Sequence, residues 1–354
     1  MKIDYIIVGQ GLGGSLMAEA LLKRGKKIMV VDNNHLASSS LVAAGLYNPI
    51  VFKRFVESWM TNQLLPAVNV IYSQIEEKLN QQIHHKKKIF KIFATEDEKT
   101  LWDKKSTTSD YMHQTEQQDL KMSGVENEFG GGLVLDSGYL DVSEFLLLYR
   151  KYLKDKNLLI SERLENKDLR VSQHDITWNE IQADKIIFCE GSSAIDNPFF
   201  GWLPFKLTKG ELLIIKAPLL DTKYVVNKGV FVMPIGNDLF KVGATYEWQE
   251  LTLETTEKGK EELLDKLNKI IKVPYEIVSH LAGIRPTISD RRPLIGVHPE
   301  YKNVAIFNGL GTKGVMIAPY FAEHFAEHLE NNTALNQEVD IKRYLKHYSP
   351  LVNY

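Results

Sequence analysis

The N-terminal segment, residues 2–32, places a glycine-rich turn between an apolar strand and a helix, and this unit constrains the fold more than any other. Residues 3–8 form a short apolar run that is typical of a strand buried on both faces. The sequence that follows, GQGLGG, matches the pattern G-x-G-x-x-G. Apolar residues then recur at helical spacing until Gly25, and residues 28–31 form a second apolar strand that ends at Asp32. The order strand, turn, helix, strand predicts an α/β fold.

The residue types of this unit suit the binding of a dinucleotide. The first glycine permits a tight turn, the second lets the backbone approach a pyrophosphate, and the third lets helix and strand pack closely. The helix N-terminus presents unpaired N–H groups to the phosphates, and the acid after the second strand is placed to accept hydrogen bonds from a ribose. The predicted contacts are Gly9, Gly11, Leu12, Gly14, Asp32 and Asn33. We therefore predict a Rossmann-like domain, with FAD and NAD both open at this point.

Composition limits the class of protein. A chain of 354 residues predicts two domains or one large α/β unit. The net charge of −2 gives no basic footprint of the kind that nucleic-acid binders usually show. The single cysteine, Cys189, excludes intrachain disulfides and lies in an apolar run, which predicts a buried structural thiol. No apolar run reaches membrane-spanning length, so we expect a cytoplasmic enzyme without a membrane partner.

Residues 38–50, SSSLVAAGLYNPI, are rich in small and hydroxyl side chains, which suit a backbone that passes close to a flat polar ligand. Together with the N-terminal unit, this segment resembles the FAD-dependent D-amino-acid oxidase superfamily, in particular its glycine oxidase, sarcosine oxidase and tRNA-modifying oxidase branches. In that family a Ser/Thr-rich segment followed by Ala-Ala-Gly runs along the pyrophosphate and isoalloxazine of FAD. The matching residues are Ser39, Ser40, Ala43, Ala44 and Gly45. The resemblance implies noncovalent FAD, because Gly283 occupies the position of the cysteine that anchors the flavin of sarcosine oxidase.

A second glycine-rich turn, GLGTKG, follows the apolar run at residues 304–307 and leads into a helix. It resembles the family's C-terminal signature, which lies at the flavin pyrimidine. Residues 183–191 resemble the last Rossmann strand of the family, where the chain again nears the adenosine. The resemblance implies further cofactor contacts from Gly191, Gly309, Gly311, Thr312, Lys313, Gly314 and Val315.

The resemblance also implies that the FAD-binding domain is discontinuous in sequence. We expect it to comprise residues 1–80, 140–205 and 282–354. Residues 81–139 and 206–281 are expected to form an α+β substrate domain on a mixed or antiparallel sheet, since the turn signal at residues 236–238 separates two apolar runs. Within the first domain, residues 55–79 predict a helix interrupted at Pro66.

Members of the family oxidise an amine: the C–H next to nitrogen gives its hydride to flavin N5, and the resulting imine is hydrolysed. Arg285 matches the position at which glycine oxidase pairs with the substrate carboxylate, and the alternative is a structural ion pair with Asp290 or another acid. Lys313 is expected to supply positive charge near the flavin pyrimidine. Lys241 matches the lysine by which sarcosine oxidase promotes reaction with oxygen, the alternative being a strand lysine that points to solvent. Arg54 lies near a matching sarcosine oxidase arginine.

Departures from the family pattern leave the substrate open. Glycine oxidase has a tyrosine where this chain has Phe231 and an arginine where it has Thr312, and its crossing-segment arginine appears here as Lys206 or Lys209. We expect oxidation of a small amine or amino acid with oxygen as acceptor. The alternatives are a tRNA wobble-uridine oxidase, whose turn GLGTKG resembles, and a dehydrogenase that uses another electron acceptor. A non-catalytic flavin-binding protein is the remaining possibility. The net charge and the expected lack of a methyltransferase domain argue mildly against tRNA.

Two short motifs suggest other chemistry. Residues 324–328 fit H-x-x-E-H, a zinc-protease pattern, but no third ligand is evident and an apolar stripe implies a core helix, so no metal site is predicted. The basic run HHKKK at residues 84–88 is interpreted as a solvated strand edge in preference to a phosphate or RNA contact.

Overall fold

The computed structural model describes residues 1–33, 39–114, 122–221 and 223–350. The helices are α1 (Leu12–Lys23), α2 (Ser39–Val42), α3 (Thr61–Leu79), α4 (Glu96–Ser106), α5 (Val142–Asp155), α6 (Glu257–Leu267) and α7 (Gly314–Asn331). The strands are β1 (Lys2–Val8), β2 (Ile28–Val31), β3 (Leu46–Tyr47), β4 (Ile50–Val51), β5 (Val56–Glu57), β6 (His84–Lys86), β7 (Ile89–Ile92), β8 (Met112–Gln114), β9 (Gly131–Val134), β10 (Gly138–Leu140), β11 (Leu159–Ile160), β12 (Leu169–Val171), β13 (Ile176–Trp178), β14 (Ile181–Phe188), β15 (Thr208–Lys216), β16 (Val225–Lys228), β17 (Val230–Gly236), β18 (Leu239–Gly243), β19 (Glu276–Arg285), β20 (Leu294–Val297) and β21 (Val304–Asn308).

The first large sheet has a parallel centre in the order β11, β2, β1, β14, with β21 also parallel to β14. Ile6 of β1 lies opposite Met29 on one side and Ile186 on the other. Alternate residues of β1 enter two different apolar clusters: Tyr5 and Ile7 pack among residues of α1, α3, α5 and α7, whereas Ile6 packs on the opposite face. Both faces are therefore covered, which confirms the predicted Rossmann-like α/β architecture.

The second large sheet has the order β19, β15, β18, β17, β16, β7, β9, β8. Its pairs are antiparallel except for β16 with β7, which makes it mixed, as the sequence predicts. Leu263 and Leu267 of α6 pack with Leu213 and Val242 in the apolar cluster on one face of this sheet. A separate three-stranded sheet of β3, β10 and β6 joins residues from both of the expected domains, and the division into two domains stays a proposal.

The segment at residues 55–79 differs from its predicted form. Residues 55–60 are not helical: Phe55 and Met60 have positive φ angles of 47° and 53°. Helix α3 begins at Thr61 and continues through Pro66. The proline removes one backbone hydrogen bond, but the apolar stripe that includes Leu64 and Val68 packs against the core and keeps the helix intact.

The sequence also predicts a buried cysteine and the absence of a membrane-spanning segment. Cys189 is buried directly after β14, and burial raises the pKa of its thiol, so it is the structural thiol that its apolar run predicts. Of the helices in the described ranges, none is long and apolar enough to span a bilayer.

Candidate functional site

A cleft of about 1000 Å³ lies beyond the carboxyl ends of β1 and β2 and reaches the second large sheet at β15, β18 and β19. Most residues predicted for the site line it: Gly9, Gly11, Leu12, Asp32, Asn33, Ser39, Ser40, Ala43, Ala44, Gly45, Gly191, Arg285, Gly311, Thr312, Lys313, Gly314 and Val315. Gly14, Gly309, Lys241 and Arg54 are not among the lining residues. The two glycine-rich turns, which lie near opposite ends of the chain, therefore meet at one cavity.

The turn between β1 and α1 has the shape that a pyrophosphate requires. Gly9 has a φ of 97°, and a Cβ there would lie 2.6 Å from the Cys189 carbonyl oxygen. A Cβ on Gly14 would lie 1.8 Å from the Gly9 oxygen, so Gly14 serves packing behind the turn. Gly11, the N-cap of α1, offers no side-chain acceptor, and Ser40 Oγ accepts from Leu12 N at 3.2 Å. The turn leaves a helix N-terminus open to the cleft, which fits the phosphates of the expected FAD.

Asp32 is held by a network that the sequence analysis did not find. Its carboxylate accepts hydrogen bonds from Gln10 N at 2.8 Å and from Arg150 Nη1 at 2.7 Å. Arg150 lies on α5, is buried, and also donates to the side chains of Gln10 and Ser161. The arginine neutralises the acid and fixes its direction, while Asn33 lines the cleft beside it.

The C-terminal glycine turn is braced against the segment that follows β14. Asn308 Nδ2 donates to the Gly191 carbonyl at 3.0 Å. Gly309 lies behind the lining, where a Cβ would be 2.9 Å from Leu294 N. Residues 311–313 form a short 3₁₀ turn that leads into α7. Of the cofactor contacts predicted in this segment, residues 311–315 line the cleft, whereas Gly309 packs behind it.

Lys313 is a partly buried cation at the cleft wall. Its Nζ donates to the Asn48 carbonyl at 3.3 Å and to Ser58 Oγ. Burial, with a smaller effect of the Arg291 charge, lowers the pKa of Lys313 to about 8. Within the described ranges no carboxylate lies at ion-pair distance from this amine, so its charge is available to a ligand.

Arg285 ends β19 and points into the cleft. Its Nη1 donates to the Thr245 carbonyl at 3.2 Å and to the Lys209 carbonyl at 3.5 Å, and burial lowers the pKa of the guanidinium. Of the carboxylates in the described part of the chain, none lies at ion-pair distance from it. Asp290, the acid considered as its partner, instead accepts from Arg343 Nε at 3.1 Å. The guanidinium thus faces the cleft without a carboxylate.

The other two predicted catalytic residues, Lys241 and Arg54, lie in different places relative to the cleft. Lys241 lies on β18 and shares a face with Gly243, which lines the cleft; burial lowers the pKa of its amine. Arg54 is exposed in the turn between β4 and β5, and the fold does not bring it into the cleft. Of the proposed crossing-segment cations, Lys206 is exposed and Lys209 is fully buried on the side of β15 that faces Thr252.

The H-x-x-E-H histidines bond to the chain that follows α7. His324 Nε2 accepts from Asn336 N at 3.0 Å, and His328 Nδ1 lies 2.6 Å from the Thr333 carbonyl. In the ranges that the structure covers, no group of three His, Cys, Asp or Glu residues is arranged to hold a metal ion. In the basic run at residues 84–88, His84 is buried against the Tyr47 hydroxyl and β6 is an edge strand.

Comparison with known proteins gives one family model that matches, that of the FAD dependent oxidoreductases (DAO), over residues 4–328. The tRNA 5-methylaminomethyl-2-thiouridine biosynthesis bifunctional protein MnmC of Legionella pneumophila (strain Corby) is 23% identical over 334 residues, covering 84% of this chain. The chain spans 46% of the length of that relative. Glycine oxidase of Geobacillus kaustophilus (strain HTA426) is 21% identical over 347 residues, with 90% of each chain covered.

The fold is shared with solved structures. Glycine oxidase from Bacillus cereus ATCC 14579 superimposes with a TM-score of 0.77 at 21% identity, covering 94% of this chain and 96% of that one. The similarity therefore extends over nearly the whole chain, including both large sheets.

Proposed function

Because this chain belongs to the family of FAD dependent oxidoreductases, we propose that it oxidises the C–N bond of a small amine or amino acid that carries a carboxylate. The family membership makes it an FAD-dependent enzyme, with glycine oxidase among its relatives. The carboxylate, the choice of amine and the use of oxygen belong to the proposal. The Arg285 guanidinium is the observation that carries it.

A guanidinium that is partly withdrawn from water and has no carboxylate partner is unfavourable until a ligand neutralises it. Arg285 has only two carbonyl oxygens as acceptors among the described residues, and both bond to the same nitrogen, Nη1. A carboxylate is the anion that pairs best with the planar fork of an arginine, through two parallel hydrogen bonds. This supports a substrate whose carboxylate binds Arg285 and whose amine lies deeper in the cleft.

The residues of the first large sheet and of the two glycine turns fit FAD. Leu12 and Ser40 are proposed to hold the pyrophosphate end, Asp32 the ribose, and Ala44 with Gly45 the ring system. When bound, FAD supplies the acceptor for the hydride from the C–H next to the amine nitrogen. Residues of the second large sheet are proposed to form the substrate domain, in the division expected from the sequence.

Two lysines are proposed to supply charge during the reaction. Lys313 holds a positive charge at the cleft wall, where it would stabilise negative charge on a bound ring system. Lys241 places a second cation on the cleft-facing side of β18, where it is proposed to assist reaction with oxygen. Both amines are largely withdrawn from water, which strengthens these interactions.

A second candidate, oxidation of a modified uridine in tRNA, is favoured by the names of the MnmC relatives. The chain covers less than half of the length of that relative, so its activity is only a proposal here. The net charge of −2 provides no basic footprint of the kind that nucleic-acid binders usually show, which favours the small amine.

The test is an anaerobic titration of the purified flavoprotein with primary, secondary and N-methyl amino acids, followed by admission of air. We expect one class to bleach the flavin, and Arg285→Ala to weaken binding of that substrate by about 2–5 kcal/mol. Arg170→Ala, which removes an exposed arginine from the edge strand β12, is the matched control. Fast recovery in air indicates an oxidase, and slow recovery indicates another acceptor.

Bleaching by amines without a carboxylate, at the same rate in Arg285→Ala, contradicts the assigned role of this arginine. A flavin that no small amine bleaches, but that modified tRNA does bleach, replaces the proposal by the second candidate.

A further inference from the structure

The segment between β18 and α6, residues 244–256, forms one edge of the cleft mouth and is called the rim loop. It carries four large apolar side chains that stay exposed: Tyr246 at 53%, Trp248 at 56%, Leu251 at 36% and Leu253 at 41%. The rings of Tyr246 and Trp248 stack on each other, with centroids 6.3 Å apart and an angle of 25° between their planes. Tyr246 and Leu253 line the cleft. Exposed aromatic residues that cluster at a cavity mouth point to a ligand.

Two buried charged residues of β15, Lys209 and Glu211, hold the rim loop in place through hydrogen bonds. Lys209 and Glu247 exchange both of their backbone hydrogen bonds, at 2.8 and 3.0 Å. Lys209 Nζ donates to Thr252 Oγ1 at 3.2 Å. Glu211 accepts from the backbone and hydroxyl of Thr256 at 3.0 and 2.9 Å. The exposed rings therefore stand on an ordered backbone, so a ligand that stacks on them loses little conformational entropy.

The rim loop and the carboxylate-binding arginine form one continuous surface. The Tyr246 ring lies over the Arg285 guanidinium, with 4.7 Å from Cζ to the ring centroid. A carboxylate bound to Arg285 places the atoms next to it beside this ring. Of the rim-loop carboxylates, Glu247 lies 3.2 Å from Lys258 Nζ and Glu250 lies 3.7 Å from Lys209 Nζ, so their charges are largely neutralised. A rim with little net charge fits a molecule with one carboxylate, bound to Arg285, and an uncharged body.

Building on the proposed function, we propose that the rim loop is a stacking platform that selects amines in which a flat, uncharged ring lies next to the carboxylate group. Arg285 binds the carboxylate, and Tyr246, supported by Trp248, stacks on the ring. Offset stacking of this kind contributes beyond the burial of area, so flat rings are preferred to saturated rings of equal size. The substrate class is therefore an aromatic or heteroaromatic amino acid, in preference to glycine.

The test measures dissociation constants of three acids from the flavoprotein, by the change in its visible spectrum: acetate, phenylacetate and cyclohexylacetate. We expect phenylacetate to bind more tightly than cyclohexylacetate by about three- to tenfold. Tyr246→Ala should remove this preference, and Tyr246→Phe should keep it. Trp248→Ala should reduce it, whereas Val278→Ala, which trims an equally exposed residue of β19, should leave it unchanged.

Equal binding of the two ring acids to the wild-type protein overturns the platform while leaving the carboxylate site intact. A preference that survives Tyr246→Ala overturns the role of this residue. If none of the three acids changes the flavin spectrum, both the proposed carboxylate site at Arg285 and the proposed stacking platform are refuted. Flavin bleaching by phenylalanine or phenylglycine faster than by glycine gives an independent readout that supports the proposal.

Discussion

Replacement of Lys313 by methionine is expected to stabilise the FAD-free protein, in contrast to most substitutions at a buried site. Methionine has a similar length and no charge. The lysine is partly buried, and in the described part of the chain its amine bonds to the Asn48 carbonyl and the Ser58 hydroxyl, with no carboxylate at ion-pair distance. The folded protein therefore carries an uncompensated cation that FAD, with its phosphates and reducible ring, is proposed to balance.

The magnitude follows from the pKa. A fall from the ordinary 10.5 to about 8 in the folded state corresponds to about 3 kcal/mol that opposes folding at pH 7. Loss of the two hydrogen bonds removes about 1 kcal/mol each, which leaves a net stabilisation of about 1–2 kcal/mol for Lys313→Met. As the pH rises above 8 the folded wild-type protein releases this proton, while the unfolded chain retains it up to 10.5. The unfolded state then binds more protons, so wild-type stability rises over this window and the advantage of the variant disappears.

The assay is urea unfolding of both FAD-free proteins at pH 7 and at pH 10, with the slope m compared to exclude a change in the unfolded state. Equal or lower stability of Lys313→Met at pH 7, or a difference that does not change with pH, refutes the reasoning. In the FAD-bound protein the sign should reverse, because a cation beside the reduced ring is lost. The reduction potential of bound flavin in Lys313→Met should then fall.

Three further predictions concern separate parts of the cleft. Lys241→Met should slow reoxidation by oxygen in stopped-flow mixing while the anaerobic reduction rate stays unchanged, because its cation is proposed to act only after reduction. Arg150→Met should weaken FAD binding by about 1.5–3 kcal/mol in a titration of apoprotein, since Asp32 loses a charged hydrogen-bond donor. Gly14→Ala should lower the free energy of unfolding by about 3 kcal/mol, because its Cβ would meet the Gly9 carbonyl at 1.8 Å.

Two of these variants have a matched control in the chain. Lys216→Met removes an exposed lysine from β15 and should leave reoxidation unchanged; a loss equal to that of Lys241→Met argues against a specific cation. Gly13→Ala places its Cβ 3.3 Å from the Leu310 side chain and 3.4 Å from the Phe307 ring, with no backbone clash, and should destabilise the protein much less; equal damage from both alanines removes the steric argument. Unchanged FAD affinity in Arg150→Met refutes the role of this arginine in orienting Asp32 for the cofactor.

The N-terminal unit could be predicted because its signals are local. The apolar run of β1, the glycine turn and the apolar spacing of α1 follow one another directly in the chain and agree on one structure. Arg285 could be placed by its position in a family pattern. Arg54 lies close in sequence to the cleft segment, but the turn between β4 and β5 directs it to the surface, and a tight turn of this kind leaves no clear periodicity.

The contacts that the sequence could not provide join distant segments. Arg150 and Asp32 are separated by 118 positions, and nothing in the pattern of α5 distinguishes this arginine from the neighbouring lysines. Tyr246 lies in a polar stretch without strand or helix periodicity, where an aromatic residue predicts nothing by itself. The role proposed for Tyr246 depends on its contact with Arg285. Arg285 lies on the later strand β19, and the pairing of β15 with β19 brings it to the Tyr246 ring.

The pairing of β1 with β14 also determines when the binding turn can exist during synthesis. Gly9 is enclosed by Cys189, so the turn lacks one wall until the growing chain has been extended to that cysteine. At about 5–20 residues per second, the nascent chain holds an incomplete turn for about 10–40 seconds, with one edge of β1 unpaired. The second glycine turn emerges later still. The cleft therefore cannot be complete around a dinucleotide until both glycine turns have been synthesised.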